Sequence, residues 1–254
     1  MFKNTFEEGT YLLGTWCELP SPAVVNVLAR AGLDFVIIDM EHGAMDYRIA
    51  QEMAMAAECE GTKALICVTR LDEQHILRAL NTGVSGILVP HIETVIDREK
   101  AVFYSKFPPV GWRGFNPFIR SGGYHKVVPG YFHDQNTRIA LGIVIEDNAA
   151  LKILGSIIDD PEIDMVYIDT YDLSVDLGLA GDVRHTIVLS ALEKAVATIR
   201  KARKVAGCTI KSKQDFYNFK DMGIQFITYK ADSAIIYDGI SGLKRKLAND
   251  DEGL

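Results

Sequence analysis

Four cysteines in 254 residues, none in a Cys-x-x-Cys pair, leave no framework for structural zinc or disulfides. A basic excess is also lacking. The 27 Lys and Arg stand against 34 Asp and Glu, for a formal net charge of −7, the wrong sign for a general nucleic-acid surface. No apolar run approaches the length that crosses a bilayer, and the opening MFKNTFEEGTYLLG has acids where a signal peptide needs an apolar core. No Gly-rich turn follows the first strand-like run, where GTWCELPSP replaces the glycine pattern of a dinucleotide-binding sheet. Low-complexity stretches, linkers and internal repeats are missing as well. The expectation is a cytoplasmic protein that handles small molecules, with no nucleic-acid or membrane partner.

What is present is alternation. Apolar runs YLLGTW, FVIID, ALICVTR, GILVPHIE, ALGIVIE, DMVYID, CTI and FITYK are each followed by a longer amphipathic stretch, from SPAVVNVLARAG to SAIIYDGISGLKRKL. Ser21 and Pro22 supply a cap and a first-turn proline for the first helix. Eight strand-plus-helix units in a chain of this length predict an α/β fold, a single (β/α)8 TIM barrel over residues 1–254. The stretch Pro108–Asn136 is too long for a mere connection and is expected to form a functional loop over the barrel mouth. The helix-like TIVLSALEKAVATIRKARKVAG is read as running up to CTI, and the acidic tail ANDDEGL as frayed.

DFVIIDMEHG, residues 34 to 43, drives a buried run into Asp39, Glu41 and His42. The carboxyl ends of barrel strands converge on one mouth, where such enzymes place their chemistry. Reading those positions in turn gives Glu18 after the first strand, and Asp39, Glu41 and His42 after the second. Cys67 to Arg70, His91 with Glu93, and Glu146 follow the next three. Asp169, Tyr171 and Asp172 follow the sixth, Thr209 and Lys211 the seventh, Tyr229 and Lys230 the eighth. Any one acid here is ordinarily a cap or a solvated group. Several acids beside one histidine suit a hard divalent cation with oxygen ligands and a nearby proton acceptor.

IIDMEHG, GILVPHIET, FPPVGWRGF, VIEDNAAL and YIDTYDLSVDLG, in that order, resemble the HpcH/HpaI aldolases of the pyruvate/phosphoenolpyruvate barrel superfamily, over about Gly14 to Ile236. The resemblance implies a class II aldolase that makes or breaks a 4-hydroxy-2-oxo acid from pyruvate, or a related 2-oxo acid, and an aldehyde. It implies Glu146 and Asp172 as ligands of Mg2+, Mn2+ or Co2+, and His42 as the base working with Asp39. Tyr171 and Asp172 fall where the family receives the substrate carboxylate. It also implies a homohexamer, a trimer of dimers that exchange their C-terminal helix.

The chain departs from that pattern around the substrate. Cys67 stands where the family carries a substrate-steadying arginine, and Arg70 or Lys230 is left to replace it. Asp169-Thr170-Tyr171 replaces the usual Gly-Pro-Ala/Asn, Asn81 an acid that supports the base across a subunit boundary, and Tyr229-Lys230 a Val-Gly pair. His91 and Glu93 are read as orienting neighbours, and Lys211 and Lys230 leave room for a phosphorylated or nucleotide-linked substrate. Two other functions stay open. One is related carbon–carbon condensation or lyase chemistry on such a substrate. The other is a catalytically silent barrel that binds an oxo acid.

Overall fold

The computed structural model describes residues 10–125 and 128–251, with side chains to 248. Its eight parallel strands close on themselves in chain order, each hydrogen-bonded to the next and β8 to β1. The first half runs β1 (Leu12–Cys17), α1 (Pro22–Arg30), β2 (Phe35–Asp39), α2 (Tyr47–Glu58), β3 (Lys63–Cys67), α3 (Glu73–Asn81), β4 (Gly86–Val89) and α4 (Val95–Ser105). The second runs α5 (Tyr131–Arg138), β5 (Ala140–Ile145), α6 (Asn148–Lys152), α7 (Leu154–Ile157), β6 (Met165–Ile168), α8 (Thr170–Asp176), α9 (Thr186–Lys201), β7 (Val205–Ile210), α10 (Lys213–Met222), β8 (Phe226–Ala231) and α11 (Asp232–Asp251). This is the (β/α)8 barrel that the alternation predicts. None of its described helices is long and apolar enough to cross a membrane.

The unbroken apolar run of β2 follows from burial on both faces. Val36 and Ile38 pack outward under the helices, while Phe35 and Ile37 fill the barrel interior. There Phe35 stacks on Phe226 with ring centroids 3.8 Å apart. Gly14 makes that stack possible: a Cβ at this position would lie 2.5 Å from the Phe35 ring. Higher up, Tyr167 ends the apolar filling. Its hydroxyl meets Trp16 Nε1 at 2.8 Å, Thr209 at 2.5 Å and Thr228 at 2.6 Å. This buried network satisfies the polar groups beneath the mouth and forms a rigid floor.

Two expectations are corrected. The long stretch after Phe107 is not over the mouth. Arg120 Nη1 donates to the carbonyls of Thr82 and Gly83 at 2.8 and 2.9 Å, just ahead of β4, and its other nitrogen pairs with Glu58 at the end of α2. The segment therefore covers the amino-terminal face of the barrel. The reason is connectivity: it leaves a helix and must return to the start of β5, whereas only strand-to-helix connections reach the mouth. It also contains α5, which lacked a clear apolar periodicity. The second correction concerns the end of α9, which stops at Lys201 rather than continuing through Val205-Ala206-Gly207. Arg203 takes a left-handed φ of 58°, turning the chain so that these three residues join β7.

Candidate active site

A cavity of about 600 Å³ opens at the carboxyl ends of the strands, with Asp39, Glu41, His42, Glu146, Asp169, Tyr171 and Asp172 on its wall. Sequence reasoning named all of these. The structure brings them together from β2, β5 and β6.

After β2 the turn is held by its own acid. Asp39 is buried, and its Oδ1 accepts the backbone N–H groups of Glu41 at 2.9 Å and His42 at 3.0 Å. Gly43 lets the turn close, since a Cβ there would sit 2.2 Å from the Asp39 carbonyl oxygen. His42 is thereby carried to the exposed rim, within the electrostatic reach of Asp169 and Glu41. Among the described residues no hydrogen bond joins Asp39 to the His42 ring. Asp39 sets the position of the imidazole through the main chain.

Glu41 points inward. Its Oε1 lies 2.9 Å from His91 Nε2, and its Oε2 lies 3.8 Å from Cys67 Sγ. The other ring nitrogen of His91 meets Glu146 Oε1, which also accepts the His91 backbone N–H at 2.9 Å. His91 thus ties the ends of β2 and β5 together. Its left-handed φ of 55°, directly after Pro90, aims both the N–H and the ring at the same carboxylate. Burial and the flanking acids Asp39, Glu41 and Glu146 push the Cys67 thiol well above its ordinary range, which disfavours its thiolate.

Burial pushes Glu146 up to about 7. His91 counters the rise, and Glu41, Asp169 and Asp172 add to it. Asp169 caps α8, accepting from the N–H of Tyr171 at 2.8 Å and of Asp172 at 3.4 Å, and burial raises it as well. Four carboxylates therefore crowd a half-buried space in which the His91 ring is the main offset to Glu146. Hard oxygen donors with surplus negative charge fit a divalent cation. Among the described residues no three His, Cys, Asp or Glu side chains are already drawn into a metal-holding group. Glu146 and Asp172 both present carboxylates to this cavity.

Some residues named from the sequence lie elsewhere or are otherwise engaged. Arg70 is exposed, is not part of the cavity wall, and bears electrostatically on Asp72. Lys230 does line the cavity, but its amino group is 2.5 Å from Asp238 Oδ2. The first turn of α11 is a contributor that sequence reasoning missed. Buried Asp232 accepts from the N–H groups of Glu18 and Leu19 at 3.0 and 3.2 Å, and Ser233 Oγ bonds Glu18 at 2.9 Å. Asp232, the acid directly before SAIIYDG, was the available signal. Glu93 is exposed.

A closed parallel barrel with acids from the ends of β1, β2, β5 and β6 around one mouth cavity has the layout of a (β/α)8 enzyme. Residues 12–235 match the family model of the HpcH/HpaI aldolase/citrate lyase. The 4-hydroxy-2-oxo-heptane-1,7-dioate aldolase of Salmonella paratyphi C is 28% identical over 242 residues, which cover 95% of this chain and 92% of that relative. An HpcH/HpaI aldolase/citrate lyase family protein from Burkholderia cenocepacia superposes with a TM-score of 0.92 at 25% identity, covering 97% of this chain and 98% of that one. An HpcH/HpaI aldolase from Desulfitobacterium hafniense gives 0.91 at 25%, covering 97% and 96%. The chain belongs to the HpcH/HpaI aldolase/citrate lyase family, as a divergent member. Membership places it with the class II, metal-dependent aldolases and lyases that act on 2-oxo acids through a stabilised enolate.

Proposed function

We propose that this protein is a carbon–carbon lyase that cleaves or forms a 4-hydroxy-2-oxo acid from pyruvate, or a close 2-oxo acid, and an aldehyde. The observation that carries this reading is the meeting of Glu41, Glu146, Asp169 and Asp172 on one cavity with His42 at its rim. A Mg2+, Mn2+ or Co2+ ion held by Glu146 and Asp172 would polarise the ketone and take up enolate charge. The chain's own groups supply the rest. His42 accepts the proton from the carbon next to the ketone and returns it, the work of an imidazole general base. Asp39 holds that imidazole in place through the turn it caps. His91 keeps Glu41 and Glu146 apart at a fixed spacing. The Tyr167 floor and the apolar interior beneath it keep water from entering from below. The four free cysteines agree with a cytoplasmic setting.

The test is exchange of the methyl protons of pyruvate into D2O, followed by NMR. Exchange should require added divalent cation, stop with EDTA, and need no aldehyde. Exchange that persists at full rate in EDTA overturns the metal-enolate reading. A barrel that only binds an oxo acid would show no exchange with any cation.

We also read the protein as a homo-oligomer, a hexamer built of dimers that exchange α11. Supporting this, Ile236, Tyr237, Ile240, Leu243 and Leu247 on α11 are all at least half exposed, an apolar face that a single barrel leaves uncovered. Sedimentation should give a hexamer at micromolar concentration, and deletion of residues 236–254 should reduce it to smaller species. A monomeric full-length chain would refute the assembly.

A further inference from the structure

A second cavity, of about 450 Å³, lies on the face opposite the catalytic mouth, where Lys63 begins β3, Ser85 precedes β4 and Ile139 precedes β5. The segment after α4 closes its other side through Arg120, Ser121 and Tyr124, and α5 adds Gln135 and Arg138. Its charge runs against that of the chain. Three cations, Lys63, Arg120 and Arg138, stand on the wall with one acid, Glu58, in a protein of net charge −7. That acid is already paired with Arg120.

The wall is built around Arg120. Its side chain is 13% exposed, and the carbonyls of Thr82 and Gly83 hold it at 2.8 and 2.9 Å. Gly83 takes a left-handed φ of 80°, and a Cβ there would lie 2.5 Å from Arg120 Nη1, so glycine is what leaves room for the guanidinium. Around this fixed group the remaining polar side chains are uncommitted. Among the described residues neither the Lys63 amino group nor the Arg138 guanidinium has an acid or a hydrogen-bond acceptor. The half-buried side chains of Ser85, Ser121 and Gln135 have no hydrogen-bond partner among them either. At the rim Tyr124 holds a left-handed φ of 52°, and its ring is 64% exposed.

We propose that this cavity is a binding site for a phosphate monoester, separate from the catalytic centre, with which it shares no lining residue. With Glu58 and Arg120 neutralising each other, two cations are left over, and a phosphate monoester brings close to two negative charges and three acceptor oxygens. Arg138 offers a planar fork and Lys63 a point charge, while Ser85, Ser121 and Gln135 supply neutral donors. A single carboxylate would leave one of the two cations unmatched. The volume is that of a small-molecule pocket rather than of a bare ion, so the ester's organic part has space beside the phosphate. A bound ester would tie the starts of β3 and β4 to the segment after α4 and to α5.

The test is calorimetric titration of the full chain in EDTA with AMP and with ribose 5-phosphate, using adenosine and ribose as phosphate-free controls. EDTA removes any cation that could bridge a phosphate to the acids of the catalytic cavity. Wild type should bind at least one ester and neither control, and saturating ester should raise its melting temperature. The two esters separate two sources of the same phosphate. Equal affinity supports a sugar phosphate, and tighter AMP supports a nucleotide laid on the exposed Tyr124 ring. Lys63→Met and Arg138→Met should each weaken binding about 10- to 100-fold, the range of one charge-assisted contact. Both residues are exposed and lie away from the catalytic cavity, so pyruvate exchange and the melting temperature without ester should match wild type. Lack of binding by both esters at millimolar concentration, equal binding of AMP and adenosine, or wild-type affinity in the doubly substituted protein overturns the proposal.

Discussion

Glu146→Gln is expected to abolish pyruvate proton exchange without lowering stability. Groups that merely support a metal ligand are worth about 10- to 100-fold in affinity, so removal of a ligand's charge costs more than that. Magnesium binding by calorimetry should become undetectable, and exchange should fall to the uncatalysed level. The fold should not suffer. Glutamine keeps an oxygen to accept the His91 N–H, and it removes a carboxylate that burial and three neighbouring acids already disfavour. Its melting temperature should match or exceed that of wild type, which separates loss of a ligand from loss of structure. Asp172→Asn should act in the same direction. Asp172 lies in the first turn of α8, where its charge also complements the helix dipole, so a small loss of stability should accompany the loss of exchange. Wild-type exchange in both variants would mean that neither carboxylate holds the cation.

His42→Ala carries the second large effect. Exchange should drop by about 10²- to 10⁴-fold, the span of a general base, while magnesium and oxo-acid binding persist. The side chain is exposed on the rim and caps no helix, so the melting temperature should barely move. Asp39→Asn should cost less, because the amide oxygen can still accept the two backbone N–H groups that hold the turn. Exchange at the wild-type rate in His42→Ala would make the histidine structural. A loss in Asp39→Asn as large as that in His42→Ala would show that the Asp39 charge itself takes part.

Much of the barrel was legible because its strands are buried on both faces, which leaves runs such as FVIID and ALGIVI without the mixed polarity of surface elements. Their carboxyl ends could be read off in order, and with them Asp39, His42, Glu146 and Asp172. The long segment after α4 was misplaced because its length was weighed rather than its connectivity. A connection that follows a helix returns to the amino-terminal face however long it is. The boundary at β7 was lost for a local reason: KARKVAG has helical composition, and the left-handed turn at Arg203 leaves no proline or glycine to mark it.

The sequence by itself determined the eight-fold alternation, the acidic mouth and the identity of the groups that reach it, because the period of burial and the position after each strand are local properties. Only the tertiary structure decided which of those groups meet. His91 and Glu146 are 55 residues apart, yet the backbone of one and the carboxylate of the other are 2.9 Å apart. Asp39 and His42, near neighbours in the chain, are joined through main-chain N–H groups rather than ring to carboxylate. Likewise Lys211 and Lys230 look alike as residues, and Asp238 on α11 neutralises only the second. Pairing across strand ends depends on barrel closure and on side-chain direction, and neither is encoded in the spacing of residues along the chain.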